Sequence, residues 1–179
     1  MIKSMAKFSL ILLSLVWVIG CSGFSLNDRN KDLSYDQLID YVDQYWFEGT
    51  AVNFTVEQEE DLEDLHLLLL SYQSDASSPL VNGLAVFKRL QNNKYKYVIF
   101  DQSPIWSSQI VVLLANKGTS HEKKYGLFFG ILTDEQPAKY LITVNGDKEF
   151  TDIIEKNKYF IRAYDLNDES GFGMRPIYD

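Results

Sequence analysis

Short segments with β-strand sequence patterns, separated by polar turn residues, make up most of this chain. From Ala51 onward a turn signal recurs about every 8–15 residues, and connections this short favour antiparallel pairing. The pattern predicts an α+β fold: mainly an antiparallel β-sheet or a small sandwich of about seven to eight strands, with one N-terminal amphipathic helix. The predicted strands are 51–56, 67–72, 83–90, 94–100, 110–115, 125–132, 140–144 and 159–164.

The helix is predicted over residues 35–47, ahead of all the strands. Ser34 and Gln37 have the spacing of a capping box, and Gly49 is suited to the C-terminal end of a helix. An aromatic stripe at helical spacing more often faces a core than a ligand, so we expect it to cover one side of the sheet. The stripe consists of Leu38, Tyr41, Val42, Tyr45 and Trp46.

Five segments carry more specific expectations. The continuously apolar segment 110–115 is predicted to be a strand buried on both faces. Gly126 is expected to allow a bulge or a close approach of another group. Asn145-Gly146 is a strong signal for a type I′ turn. Residues 151–156 are predicted to form one helical turn, and the tail after Tyr164 is predicted to be irregular.

A short apolar run with lysines before it opens the chain. Lys3 and Lys7 precede the run 8–19, and Val18-Ile19-Gly20-Cys21 ends it. The run is about 12 residues long, whereas roughly 20 are needed to span a bilayer. Basic residues, a short apolar core and a small residue before a cleavage point are typical of an export signal.

Val18-Ile19-Gly20-Cys21 resembles the lipobox of bacterial lipoproteins, and the chain is similar to the small lipoproteins of Bacillus-type bacteria. The resemblance implies that a peptidase cuts before Cys21 and that Cys21 carries the lipid. The protein would then sit on the extracytoplasmic face of the cell membrane. The expected organisation is a signal peptide at 1–20, the lipidated cysteine and a polar tether at 21–33, and a single globular domain at 34–179. An ordinary signal peptide beside a coincidental cysteine is the alternative.

Composition and charge narrow the classes of partner. The chain is 46% hydrophobic and 14% aromatic, which is ample for a packed core. Removing residues 1–20 deletes two lysines and no acid, so the net charge falls from −8 to −10. An acidic domain is a poor ligand for phosphate backbones, so no nucleic-acid partner is expected. Cys21 is the only cysteine, so the domain must hold together without a disulfide.

Candidate catalytic residues are few, and none is assigned a catalytic role. The sequence lacks a nucleophile elbow, a zinc-protease motif and a glycine-rich phosphate loop. His121 lies in a predicted loop without an identifiable nucleophile, and His66 opens an apolar strand. We expect a solvated loop histidine at 121 and a structural histidine at 66.

Two acidic segments have some of the features of a metal site. Residues 57–64 carry six carboxylates that could offer oxygen ligands to Ca²⁺, although clustered acids usually form a solvated face. Residues 165–171 resemble the start of a calcium loop, but Gly171 falls at loop position 7 and Pro176 occupies position 12. We therefore predict no metal site and no cofactor.

Trp106 is the candidate for partner binding. It lies in a connection between two predicted strands, where an exposed tryptophan would suggest a recognition loop. The alternative is that Trp106 folds back over the open end of the sheet.

Three functions remain open on the sequence alone. The first is a non-enzymatic binding module, anchored at the cell envelope and contacting an envelope protein. The second is an envelope hydrolase with an unrecognised carboxylate or histidine site, which requires a polar cleft. The third is a small-ligand sensor or solute-capture protein, which requires an enclosed pocket.

Overall fold

The computed structural model describes residues 31–104, 108–144, 148–166 and 171–178. A short 3-10 turn at Tyr35–Gln37 leads into helix α1, Leu38–Phe47. Ten strands follow in the described residues. They are β1 Val52–Leu62, β2 Leu65–Gln73, β3 Val81–Arg89, β4 Tyr95–Pro104, β5 Ser108–Ala115, β6 Lys123–Ile131, β7 Lys139–Val144, β8 Lys148–Ile153, β9 Tyr159–Leu166 and β10 Phe172–Ile177.

The strands form three antiparallel sheets. The helix-covered sheet has the order β1-β2-β3-β4, the middle sheet β5-β6-β9 and the outer sheet β10-β7-β8. The outer sheet is assembled from strands on both sides of β9 in the chain. Pairing between segments that are distant in sequence therefore completes the fold.

Three apolar clusters show how the layers stack. On one side of the helix-covered sheet, α1 packs Leu38 and Val42 against Phe87. On its other side, Leu67 packs with Phe129 of the middle sheet. The far face of the middle sheet packs against the outer sheet through the residues Phe128, Phe160, Tyr140 and Ile142. The layer order is helix, helix-covered sheet, middle sheet, outer sheet.

The predicted α+β class is confirmed, and the predicted helix is confirmed as a 3-10 turn continued by α1. The backbone N–H of Ser34 donates to Oε1 of Gln37 over 3.0 Å, as the capping box requires. Gly49 follows the helix with φ of 73°, a conformation that glycine adopts without strain. No helix in the described part of the chain is long and apolar enough to cross a membrane.

The domain begins slightly earlier than the predicted boundary at residue 34. Leu33 is 2% exposed and joins the cluster between α1 and the helix-covered sheet. Its backbone N–H donates to the carbonyl of Tyr95 over 2.8 Å, and its carbonyl accepts from Tyr95 over 2.9 Å. This isolated bridge places Leu33 at the start of the outer edge of β4.

Two predictions of local structure are wrong, because pairing with β7 decides both. Residues 151–156 do not form a helical turn: Thr151 lies in β8, opposite Leu141. The tail is not irregular, since Phe172–Ile177 forms β10 on the other side of β7. Neither strand is long or strongly apolar, so each depends on a partner that local sequence does not reveal. The predicted Asn145-Gly146 turn lies outside the described residues.

The prediction that 110–115 is buried on both faces is also wrong. Leu113 and Ala115 are buried against the helix-covered sheet, whereas Val112 is 45% and Leu114 40% exposed. The reason is the position of the outer sheet. Phe172 of the outer sheet lies against Gly126 of β6, so the outer sheet covers the strands beyond β5 and leaves one face of β5 open.

Candidate functional site

The acidic run 57–64 is extended, not helical, and its carboxylates bond to donors on neighbouring elements. Within the described residues, no group of three or more His, Cys, Asp or Glu side chains could hold a metal ion. The carboxylates instead join separate elements to β1 and its turn. The pairs are Glu57 with Ser71 at 2.5 Å, Glu59 with Tyr35 at 2.6 Å, Asp61 with His66 at 2.8 Å, Glu63 with Lys123 at 2.5 Å and Asp64 with Lys88 at 3.1 Å.

His66 is the centre of the densest polar cluster. Its Nδ1 lies 2.8 Å from Oδ1 of Asp61, which also forms an ion pair with Arg89. Its Nε2 lies 3.6 Å from Oε2 of Glu59, which is too far for a hydrogen bond. The ring of Tyr35 meets His66 edge-on, and the Tyr35 hydroxyl donates to Glu59. The cluster therefore ties the turn before α1 to β1 and β2.

A histidine between two carboxylates has the composition of a general-base site, but this one is closed. His66 is only 6% exposed, and its Nε2 is buried without a hydrogen-bond partner. A catalytic base must reach the proton that it removes. The role expected from the sequence, a structural histidine, agrees with this burial. Sequence reasoning missed its partners because the strand was predicted to end at residue 56, although Glu57, Glu59 and Asp61 alternate as strand residues do.

The cluster gives the domain a specific acid sensitivity. Hydrogen bonding by His66, and then by Arg89, holds the pKa of Asp61 below its usual value, while the hydrogen bond to Glu59 raises the pKa of Tyr35. A carboxyl whose folded pKa is depressed contributes stability above its unfolded pKa of about 3.9 and loses it as the pH falls through the folded value. We therefore expect Asp61→Asn to lower stability most near pH 7, with the difference from wild type shrinking below about pH 4.

Urea unfolding at several pH values between 7 and 3 measures this difference. Asp165→Asn, at an exposed aspartate on β9, is the matched control and should show no such pH-dependent loss. An Asp61→Asn deficit that stays constant from pH 7 to pH 3 would contradict the assignment.

His121 has a different setting. It is exposed in the loop between β5 and β6, where its backbone N–H donates to Oγ1 of Thr119 over 3.1 Å. The neighbouring Glu122 accepts a hydrogen bond from the backbone N–H of Gly118 over 2.6 Å. The carboxylate closes the loop on itself, and the geometry offers His121 no activated nucleophile.

A polar cleft of about 410 Å³ lies at one end of the outer sheet. It is bounded by the start of β7, the end of β10 and the loops beside them, not enclosed within a sheet. Lys156 on its wall donates to the backbone carbonyl of Asp134 over 2.8 Å. The lining residues are Asp134, Glu135, Gln136, Pro137, Ala138, Lys139, Lys156, Ile177 and Tyr178.

Several predicted site residues lie outside the described residues: Cys21, Trp106 and the centre of the calcium-like loop at 167–170. The flanking elements are described. The connection that contains Trp106 joins the end of β4 to the start of β5. Pro176, at the last position of the calcium-like loop, lies in β10 opposite Tyr140.

The remaining candidate is the outer edge of β5. Within the described residues β5 pairs with β6 alone, so its other edge presents unpaired backbone N–H and C=O groups. Its sequence, SQIVVLLA, contains no charged residue, proline or glycine. Edge strands normally carry such residues or a bulge, because a flat apolar edge pairs readily with another strand.

Each of the other edge strands carries one of these protections. β1 has four acids and two register shifts. β4 has a register shift beside Val98 and the Leu33 bridge at its start. β8 contains Lys148, Glu149 and Asp152, β9 contains Arg162 and Asp165, and β10 contains Arg175 and Pro176. The β5 edge, with the exposed Val112 and Leu114 beside it, is therefore the edge best suited to accept a strand.

Comparison with known proteins yields no match: no family model, curated protein or solved structure is significantly similar to this chain.

Proposed function

We propose that this chain is a lipoprotein anchored through Cys21 to the extracytoplasmic face of the cell membrane, and that its domain is a non-enzymatic binding module. The observation that carries the binding role is the uncharged, unpaired edge of β5 beside the exposed Val112 and Leu114. A free edge supplies affinity through backbone hydrogen bonds, and the alternating side chains beside it supply selectivity.

The anchor follows from the lipobox-like run that ends at Cys21. Each buried lipid CH₂ contributes about 0.8 kcal/mol, so two acyl chains hold a protein firmly where one binds reversibly. The polar segment 22–33 spans at most about 40 Å when fully extended. The binding surface would therefore stay close to the membrane.

The closed His66 cluster favours a binding module over an envelope hydrolase. The two carboxylates that converge there, Glu59 and Asp61, already bond to Tyr35 and Arg89. A substrate would have to displace the buried imidazole to reach them. The hydrogen-bonding capacity of the cluster is used in joining elements of the fold.

Small-ligand capture is the second candidate, and the cleft beside Lys139 and Lys156 is the observation that favours it. It ranks second because solute capture usually buries most of the ligand. This cleft instead has exposed walls, Lys139 and Tyr178 among them. Trp106, two residues before β5 in the sequence, stays a predicted contact residue of the binding module.

Cys21→Ser tests the anchor. We expect the variant to incorporate no fatty-acid label and to keep residues 1–20, because serine offers no thiol for lipid attachment. Metabolic labelling with a fatty acid, together with mass spectrometry of the N-terminal peptide, measures both effects. Ser22→Ala is the control and should be labelled and cut as in the wild type. A labelled Cys21→Ser chain, or an unlabelled wild type, would refute the anchor.

A further inference from the structure

We propose that the free edge of β5 pairs with β5 of a second copy of this chain, antiparallel and about a two-fold axis. This inference rests on the proposed function and names the partner of its binding surface. Pairing would join two three-stranded middle sheets into one six-stranded sheet. It would also satisfy the backbone groups that β5 leaves unpaired.

Charge selects β5 for contact between identical chains. The chain carries a net charge of −8, so most surfaces of two copies repel each other. β1 illustrates the conflict, because pairing it with itself would bring two acidic strands together, and like charges directly opposite destabilise a sheet. β5 carries no charge over its eight residues, so self-pairing introduces no opposed charges within the strand.

The alternation of β5 suits a two-fold register. Residues that face each other across antiparallel strands lie on the same face of the sheet, so a two-fold axis must pass beside a residue and not between two. An axis at Val112 places Val112 opposite its counterpart and Val111 opposite Leu113 of the second copy. This register covers the exposed side of Val112 and extends the core between the two inner sheets across the contact.

The layer order makes this pairing compatible with two anchors in one membrane. The two-fold axis of a continuous antiparallel sheet is perpendicular to that sheet, so both copies keep the same order of layers along it. Leu33 lies in the helix layer, and the chain continues from it back toward Cys21. Both tethers would therefore leave from the same side. Two copies stacked through their outer sheets would instead send their tethers in opposite directions.

Anchoring also favours association. Two chains held in one membrane meet at a higher effective concentration than free chains do. A contact made by one strand pair, too small for tight binding in solution, then becomes sufficient. The free edge, the exposed apolar side chains and the tether direction lead to the same partner.

Cross-linking of the full-length lipidated protein in native membranes tests the proposal. In Val112→Cys the new thiol is the only free one, because the lipid occupies the sulfur of Cys21. We expect mild oxidation to give a disulfide-linked homodimer, since opposed residues near the axis lie about 4.5–5.5 Å apart. Ile153→Cys is the control: it is exposed on β8, on the far side of the domain, and should stay monomeric.

A second measurement covers other partners and local misfolding. A photo-reactive group attached to the thiol of the Val112→Cys variant should also yield the homodimer. Lysine guards natural edge strands, so Val112→Lys should reduce co-isolation of two differently tagged copies at least tenfold. Ile153→Lys, expressed at the same level, should leave co-isolation unchanged.

The outcomes separate this inference from the proposed function. Photo-adducts with a different protein alone would overturn self-pairing and leave the binding module standing. Equal disulfide formation at positions 112 and 153 would indicate random collision and overturn self-pairing. The absence of any adduct at position 112 in a labelled, membrane-bound chain would overturn both self-pairing and the β5 binding surface. Failure of lipidation is detected separately at Cys21.

Discussion

Phe129→Ala should lower the free energy of unfolding by about 3–5 kcal/mol, the usual cost of removing a fully buried phenylalanine ring. Phe129 has no exposed surface and lies in the core between the helix-covered and middle sheets, with Leu67 and Leu84 among its cluster neighbours. The loss combines the transfer of the ring from water with the cavity left between two sheets. Domains of this size are typically stable by only about 5–15 kcal/mol, so the variant should be marginally folded.

Phe150→Ala is the matched control. Phe150 is 44% exposed on β8 and contributes less buried surface, so its replacement should cost about 1 kcal/mol or less. Urea unfolding of both variants and the wild type, with comparable slopes, measures the difference. Equal destabilisation by the two substitutions would contradict the position of the core between the inner sheets.

Gly126→Ala should destabilise the domain by about 1–3 kcal/mol, although alanine normally restricts the unfolded chain more than glycine does. The reason is the close approach of Phe172. A Cβ atom at position 126 would lie 2.6 Å from the ring of Phe172, which packs over β6 from the outer sheet. The ring must move, and β10 moves with it.

Hydrogen exchange locates the effect of Gly126→Ala. The backbone amides of β10 should lose protection more than those of β2, because β10 is an edge strand and β2 is central to its sheet. Gly171→Ala is the control, since a Cβ there would have no neighbour within 4 Å. Unchanged protection of β10 in Gly126→Ala would contradict the packing of the outer sheet on β6.

Local sequence patterns predicted the features that depend on near neighbours. The capping residues Ser34 and Gln37 marked the start of the helix, and its stripe faces the core as expected. The segment Gln91-Asn92-Asn93 was predicted to join two hairpin strands. It does so with Asn92 and Asn93 at φ of 64° and 56°, a region that asparagine tolerates better than most residues.

The polar contacts were less predictable. The partner of His66 is five residues earlier in the chain, but it is set by the register between β1 and β2. A shift of one residue would turn Asp61 to the opposite face. The strand extended to Leu62 because its acids find donors on Tyr35, Arg89 and Lys123, which lie on other elements.

The sequence by itself determined the class of fold, the helix and its buried face, and the lipobox-like run that leads to the proposed anchor, because each rests on periodicity or on adjacent residues. The tertiary structure alone decided the division into three sheets, the addition of β8 and β10 on either side of β7, and the exposure of one face of β5. These features depend on which distant segments pair and which faces they cover. The proposed binding surface is one of them: β5 has the composition of a buried strand, and only its place at an edge of the middle sheet leaves Val112 and Leu114 open to a partner.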